Sequence, residues 1–130
     1  MSKPQVHALV IEDDDDIRRL LEVVLGQAGY EVTSSATGAD GVRLARATPP
    51  DLITLDVGLP DTNGYAVAET LRTFYGGHLV MLSARAEAYD AEYGMQVGAD
   101  AYLTKPFRPR AFREALASVV AEPARGVTAT

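Results

Sequence analysis

The chain has 130 residues, about one domain's worth, and its 47% hydrophobic and 23% charged composition excludes a disordered or fibrous protein. It has no cysteine, which removes disulfides, thiolate metal sites and cysteine nucleophiles, and its two histidines, His7 and His78, cannot make a zinc site without carboxylates. The formal charge is −6, but five acids form the run Glu12, Asp13, Asp14, Asp15 and Asp16, and the rest of the chain sums to −1, so the acidity is local.

No basic stripe points to nucleic acid; Lys105, Arg108, Arg110 and Arg113 read as a solvated helix face. Apolar runs are short, and no basic segment followed by an apolar one opens the chain. Neither a membrane span nor an export signal is expected, and the protein reads as cytoplasmic.

In chain order, Val6 to Ile11 is an apolar run that stops abruptly in acid, the pattern of a buried parallel strand reaching the edge of its sheet. Ile17, Leu20, Leu21, Val24, Leu25 and Ala28 then recur at helical spacing, with aspartates ahead of them and Gly29 as the C-terminal cap. Tyr30 to Ser35 reads as a strand, Ala39 to Ala47 as a short helix stopped by Pro49-Pro50, and Leu52 to Leu55 as a strand meeting acid at Asp56. Gly58, Pro60, Asp61, Asn63 and Gly64 form a loop, and Val67, Leu71, Phe74 and Tyr75 mark a helix closed by Gly76-Gly77. Leu79 to Leu82 is the fourth strand. Ala86 to Val97 is a helix without a clean apolar stripe, ended by Gly98. Ala101 to Thr104 is the fifth strand, and Phe112, Ala115, Leu116, Val119 and Val120 mark the last helix. Residues 1–121 are expected to form the domain and 122–130 a flexible tail or linker.

Strands alternating with helices require a parallel sheet covered on both faces, an α/β doubly wound fold. Ligands of such sheets bind beyond the C-terminal strand ends. Those ends carry Glu12 and Asp13, Asp56, Ser83 and, just after the fifth strand, Lys105-Pro106. Clustered carboxylates repel unless a cation neutralises them, and Mg2+ takes oxygen ligands and phosphate together. The chain lacks GxGxxG and GxxxxGK[ST] loops, so a phosphoryl group must be held otherwise. A carboxylate can attack phosphorus itself, and Asp56, ending a central strand and followed by Gly58, is best placed for that.

Leu9 to Asp13, Asp56 with Pro60 and Gly64, Ser83-Ala84, Gly98-Ala99-Asp100 and Lys105-Pro106-Phe107 together resemble the receiver domain of two-component response regulators, over about Val6 to Val120. The resemblance implies a flavodoxin-like sheet of five parallel strands in order 2-1-3-4-5 with five helices. It implies a CheY-like signalling module, not an enzyme beyond its own phosphorylation and slow dephosphorylation. Asp56 would accept a phosphoryl group from a sensor histidine kinase or histidine phosphotransfer protein. Glu12, Asp13, Asp56 and the Gly58 carbonyl would hold Mg2+. Lys105 would contact phosphate, Ser83 would be the switch hydroxyl and Tyr102 the switch aromatic. Pro106 would follow a cis bond, and Gly58 and Arg85 would flank the path of the hydrolytic water and set the phosphoryl lifetime. Partners would be the kinase and a downstream protein or fused output domain, without direct nucleic-acid binding by this segment or membrane contact. Glu12 stands where Asp is commonest and Ser83 where Thr is; neither change removes the needed chemistry.

Two other readings stand beside this one. An aspartate-nucleophile Mg2+ phosphohydrolase of the haloacid dehalogenase type is echoed in Asp13, Asp15 and Ile17, but has no substrate-specificity insertion here. A phosphate-independent module of receiver fold sits poorly with the complete set Asp13, Asp56, Ser83 and Lys105. Receivers joined to winged-helix domains typically pair an aspartate before the switch aromatic with an arginine in the fifth helix across a dimer. Here those positions are Ala101 and Ala115, so that dimer is not expected.

Overall fold

Alternate side chains of the central strands go to opposite faces of the sheet, and both faces are dry. In the computed structural model, which describes residues 5–84, 88–105 and 108–127, the elements run β1 (Val6–Ile11), α1 (Asp15–Gln27), β2 (Tyr30–Ser35), α2 (Gly38–Ala47), β3 (Leu52–Asp56), α3 (Gly64–Arg72), β4 (His78–Ser83), α4 (Ala88–Gln96), β5 (Ala101–Thr104) and α5 (Pro109–Ala121). All strand pairings are parallel, in the order β2-β1-β3-β4-β5. This is the expected flavodoxin-like architecture.

Leu9, Ile11, Ile53, Leu55, Leu79 and Met81 pack with Val67, Ala68, Leu71 and Tyr75 on one face. Ala8, Val10, Leu52, Val80 and Leu82 pack with Leu21, Val24, Leu25, Phe112 and Leu116 on the other. Burying one such aliphatic side chain stabilises by about 1.5–3 kcal/mol, so continuous apolar runs are what a strand covered on both sides needs.

Three helices begin at the same sheet edge with side-chain caps. Asp14 accepts from the Ile17 N–H, Thr37 from Asp40 and Asn63 from Ala66. Each satisfies an N–H that the first turn leaves unpaired. Asp61 reaches back across the edge to accept from the N–H groups of Gly38 (2.9 Å) and Ala39 (3.0 Å), pinning the β3–α3 loop to the start of α2. Those two bonds hold the Asp61 carboxyl below its ordinary value.

The expected helix through Phe74 and Tyr75 is shorter than the periodicity suggests: α3 stops at Arg72, with Thr73 as its C-cap. Arg72 is fully buried and turns its guanidinium onto the carbonyls of Tyr75, Gly77 and Gly98, and onto Asp100. Those bonds require the following backbone to leave the helix. Tyr75 still belongs to the core, its hydroxyl donating to the His78 carbonyl at 3.0 Å.

Glu122 to Val127, read above as tail or linker, lies against the domain. The Arg125 N–H donates to Asp100 Oδ1 at 2.8 Å, its guanidinium donates to the Met95 carbonyl at 2.7 Å, and the Glu122 carbonyl lies 2.7 Å from His78 Nε2.

Candidate phosphoacceptor site

Glu12 is the first residue past β1. Its N–H donates to the Ser35 carbonyl at 2.9 Å, which turns its side chain inward to 1% exposure. Asp56 ends β3, paired with Leu82 of β4, and is likewise buried. Lys105 is held by its own N–H donating to the Ser83 carbonyl at 2.7 Å, one step beyond the β4–β5 ladder.

These three backbones bring one ammonium between two carboxylates. Lys105 Nζ donates to Glu12 Oε1 at 2.8 Å and to Asp56 Oδ1 at 2.9 Å. Glu12 Oε2 accepts from the Asp14 N–H at 3.2 Å. The repulsion expected among the acids is thus partly offset by Lys105, which lies on the carboxylates. Burial pushes the Glu12 carboxyl above its ordinary value, and Asp56 adds to the rise; the bond from Lys105 only partly reverses it. Burial pulls Lys105 downward, but the hydrogen bonds to Glu12 and Asp56 prevail and its value is raised.

Oxygens of Glu12, Asp13 and Asp56 lie within 4.8 Å of one another, and Asp13 is exposed. Three hard oxygen donors with a net negative charge after Lys105 is counted suit a small divalent cation such as Mg2+. Gly58 lies beside them at the mouth of the cleft, bridged to Asn63 across the loop. Its φ is not positive, and a Cβ there would meet nothing nearer than Asp56 Oδ2 at 4.0 Å. Glycine is therefore not demanded by the backbone at 58. Gly64 is the opposite case, since a Cβ there would fall 2.5 Å from the Asp56 carbonyl oxygen and 2.7 Å from Val57 Cα. Only glycine lets α3 start against the end of β3.

An open cleft of about 1240 Å³ is lined by Glu12, Asp13, Asp56, Gly58, Ser83 and Lys105 among others. Tyr102 does not line it; its hydroxyl lies 3.2 Å from that of Tyr65, which does. Arg85 and the bond preceding Pro106 lie outside the described residues. Sequence reasoning missed Arg18, whose guanidinium donates to the Glu12 carbonyl at 3.0 Å and pairs with Asp15, bracing the acidic loop. Its signal was an arginine in the first turns of a helix whose dipole disfavours it.

The model of the response regulator receiver domain family matches residues 8–117, most of the chain and every element from β1 into α5. The chain belongs to this family. As a receiver domain it is a phosphoacceptor signalling module of two-component systems, not a classical enzyme. It is 42% identical over 99 residues to the transcriptional regulatory protein KdpE of Mycobacterium tuberculosis, covering 76% of this chain and 44% of KdpE. It is 41% identical over 103 residues to the transcriptional regulatory protein CseB of Streptomyces coelicolor, covering 79% and 44%. The chain thus spans less than half the length of these relatives. Among solved structures, the receiver resembles chemotaxis protein CheY4 of Vibrio cholerae (TM-score 0.82, 28% identity, 89% of this chain and 99% of that one). It also resembles a response regulator from Chloroflexus aurantiacus (TM-score 0.84, 32% identity, 92% and 100%). Among the described residues no helix is long and apolar enough to cross a membrane.

Proposed function

We propose that Asp56 is the phosphoacceptor of this receiver, with Glu12, Asp13, Asp56 and the Gly58 carbonyl as the Mg2+ site and Lys105 and Ser83 as the groups that receive the phosphoryl oxygens. The observation that carries the reading is Lys105 Nζ shared between Glu12 and Asp56 at 2.8 and 2.9 Å, beside an exposed Asp13. An Asp56 oxygen attacks phosphorus, the P–N bond of a phosphohistidine breaks, and the imidazole leaves with the bond's electron pair. A bound Mg2+ neutralises charge on the transferring group. Lys105 exchanges a carboxylate for a phosphoryl oxygen, and the Ser83 hydroxyl donates to another. The chain thereby catalyses its own phosphorylation and slow dephosphorylation.

The donor is a sensor histidine kinase or histidine phosphotransfer protein. The phosphorylated state is read on α4, β5 and α5 by a downstream protein or a fused output domain, without direct nucleic-acid contact by this segment. Residues 1–121 form the receiver and 122–130 a tail or linker, of which Glu122 and Arg125 are bonded to the domain. Gly58 brings no side chain to orient water, which favours a slow-to-moderate loss of the phosphoryl group.

Intact mass after incubation with acetyl phosphate and Mg2+ tests this. One added phosphoryl group is expected on the wild type, none on Asp56→Asn, and strongly reduced labelling on Asp13→Ala. Equal labelling of Asp56→Asn overturns the assignment. Sustained turnover of p-nitrophenyl phosphate would instead mark a phosphohydrolase.

A further inference from the structure

We infer that Tyr65 is a positioning residue for Tyr102: its hydroxyl latches the β5 aromatic in the orientation it takes while Lys105 rests on Glu12 and Asp56. The inference rests on the reading of Tyr102 as the switch aromatic and adds a partner that neither the family match nor the motif supplies.

Tyr65 follows Gly64, the residue wedged against the Asp56 backbone, so its ring position is tied to the phosphoacceptor loop by main-chain contact. From there it reaches both neighbouring elements. Its O–H points to the Asp90 carbonyl of α4 at 3.4 Å, and its oxygen lies 3.2 Å from the Tyr102 hydroxyl. One consistent assignment has Tyr102 donating to Tyr65 and Tyr65 donating to Asp90, a chain of polar links from β5 through α3 to α4. The Tyr65 ring packs at a tilt against Tyr93 of α4, with centroids 4.8 Å apart and ring planes at 59°, a contact that does not depend on its hydroxyl. Tyr102 in turn packs closely on Gly94, where a Cβ would fall 2.7 Å from its Cδ2.

Rotation of Tyr102 away from this position breaks its bond to Tyr65. A ligand that favours the rotated state must overcome that bond, and its apparent affinity falls accordingly. Removing the Tyr65 hydroxyl while keeping the ring lowers that barrier to switching without touching any group in the carboxylate cluster.

The test uses the full chain and beryllofluoride with saturating Mg2+ as the phosphoryl mimic. Tyr65→Phe keeps the ring contact with Tyr93 and is expected to melt near the wild type. It should tighten beryllofluoride binding roughly threefold to tenfold, the worth of one hydroxyl hydrogen bond. It should also move the ring resonances of Tyr102 in the unliganded protein toward their positions in the liganded wild type. Tyr102→Phe should tighten binding similarly, and the double variant no further than either alone, because both delete the same bond. Unmoved Tyr102 resonances in Tyr65→Phe, or tightening that adds fully in the double variant, overturns the latch. Failure of the underlying switch reading looks different: beryllofluoride then leaves the Tyr102 resonances of the wild type in place. In that event the unliganded resonances alone decide, and a Tyr102 ring unmoved by Tyr65→Phe still overturns the latch.

Discussion

Lys105 can sit between Glu12 and Asp56 because three strand ends deliver their side chains to one largely buried corner on the floor of the cleft. The same burial costs the Glu12 carboxylate more than Lys105 returns, so its carboxyl is raised. A carboxyl raised on folding binds its proton more tightly in the folded chain. Its ionised form therefore costs stability at neutral pH, and the cost is relieved as pH falls through the raised value. Lys105 is also raised, so its contribution is complete below the ordinary ammonium value and is lost only as pH rises through the folded one. Urea unfolding in metal-free buffer checks the Glu12 sign. As pH falls from 7 toward the ordinary carboxylate value, the wild type should gain stability relative to Glu12→Gln. The gain is about 1.4 kcal/mol for each unit by which the folded value exceeds the unfolded one. A relative loss would show that Lys105 outweighs burial. Glu12, Asp13, Asp56 and Lys105 were legible as a set because each stands at the end of an apolar run. Their pairing was not, since no spacing says which carboxylate an ammonium from β5 will reach.

The β3–α3 connection is built on Gly64, whose missing Cβ lets the first turn of α3 sit on the Asp56 backbone. Gly64→Ala should destabilise by about 1–3 kcal/mol, the usual cost of forcing an atom into a packed site. It should weaken beryllofluoride binding as well, because the atoms that must yield carry Asp56. Gly58→Ala is the control and should stay within about 1 kcal/mol of the wild type, since its Cβ has room. Both effects are read from denaturant midpoints.

At the other edge of the sheet, Arg72 closes α3 by joining Asp100 at 3.0 Å with both groups buried. Arg72→Met leaves that buried carboxylate without its cation, though still bonded by the Leu79 and Arg125 N–H groups, and takes a donor from three carbonyls, and should cost about 3–5 kcal/mol. Adding Asp100→Asn should recover part of the loss; no recovery would place the cost in packing alone. The periodicity of Val67, Leu71, Phe74 and Tyr75 suggested a longer helix because Tyr75 is truly a core residue. It reaches the core from the turn, a distinction that spacing does not encode.

For the molecule as a whole, the α4-β5-α5 face lacks, at positions 101 and 115, the aspartate and arginine that pair across the winged-helix type of dimer. Ala101 and Ala115 are apolar, and Asp100, the acid next to them in the chain, is committed internally to Arg72, the Leu79 N–H and the Arg125 N–H. Sedimentation with beryllofluoride and Mg2+, together with a crystal structure of the activated form, should therefore find no dimer of the winged-helix type. A symmetric dimer held by charge pairs across that face would overturn the expectation.

The order of strands and helices, the two-sided burial and the gathering of acids at one edge were already determined by local pattern. Apolar runs, caps and glycines act within a few residues, and right-handed crossovers leave few ways to arrange the resulting pieces. Long-range geometry alone decided the sharing of Lys105 by Glu12 and Asp56, the Arg72–Asp100 pair and the contact of Tyr65 with Tyr102. Each of these joins residues 28 or more positions apart. The direction of such a side chain is set by the packing around it, which exists only once the sheet has formed.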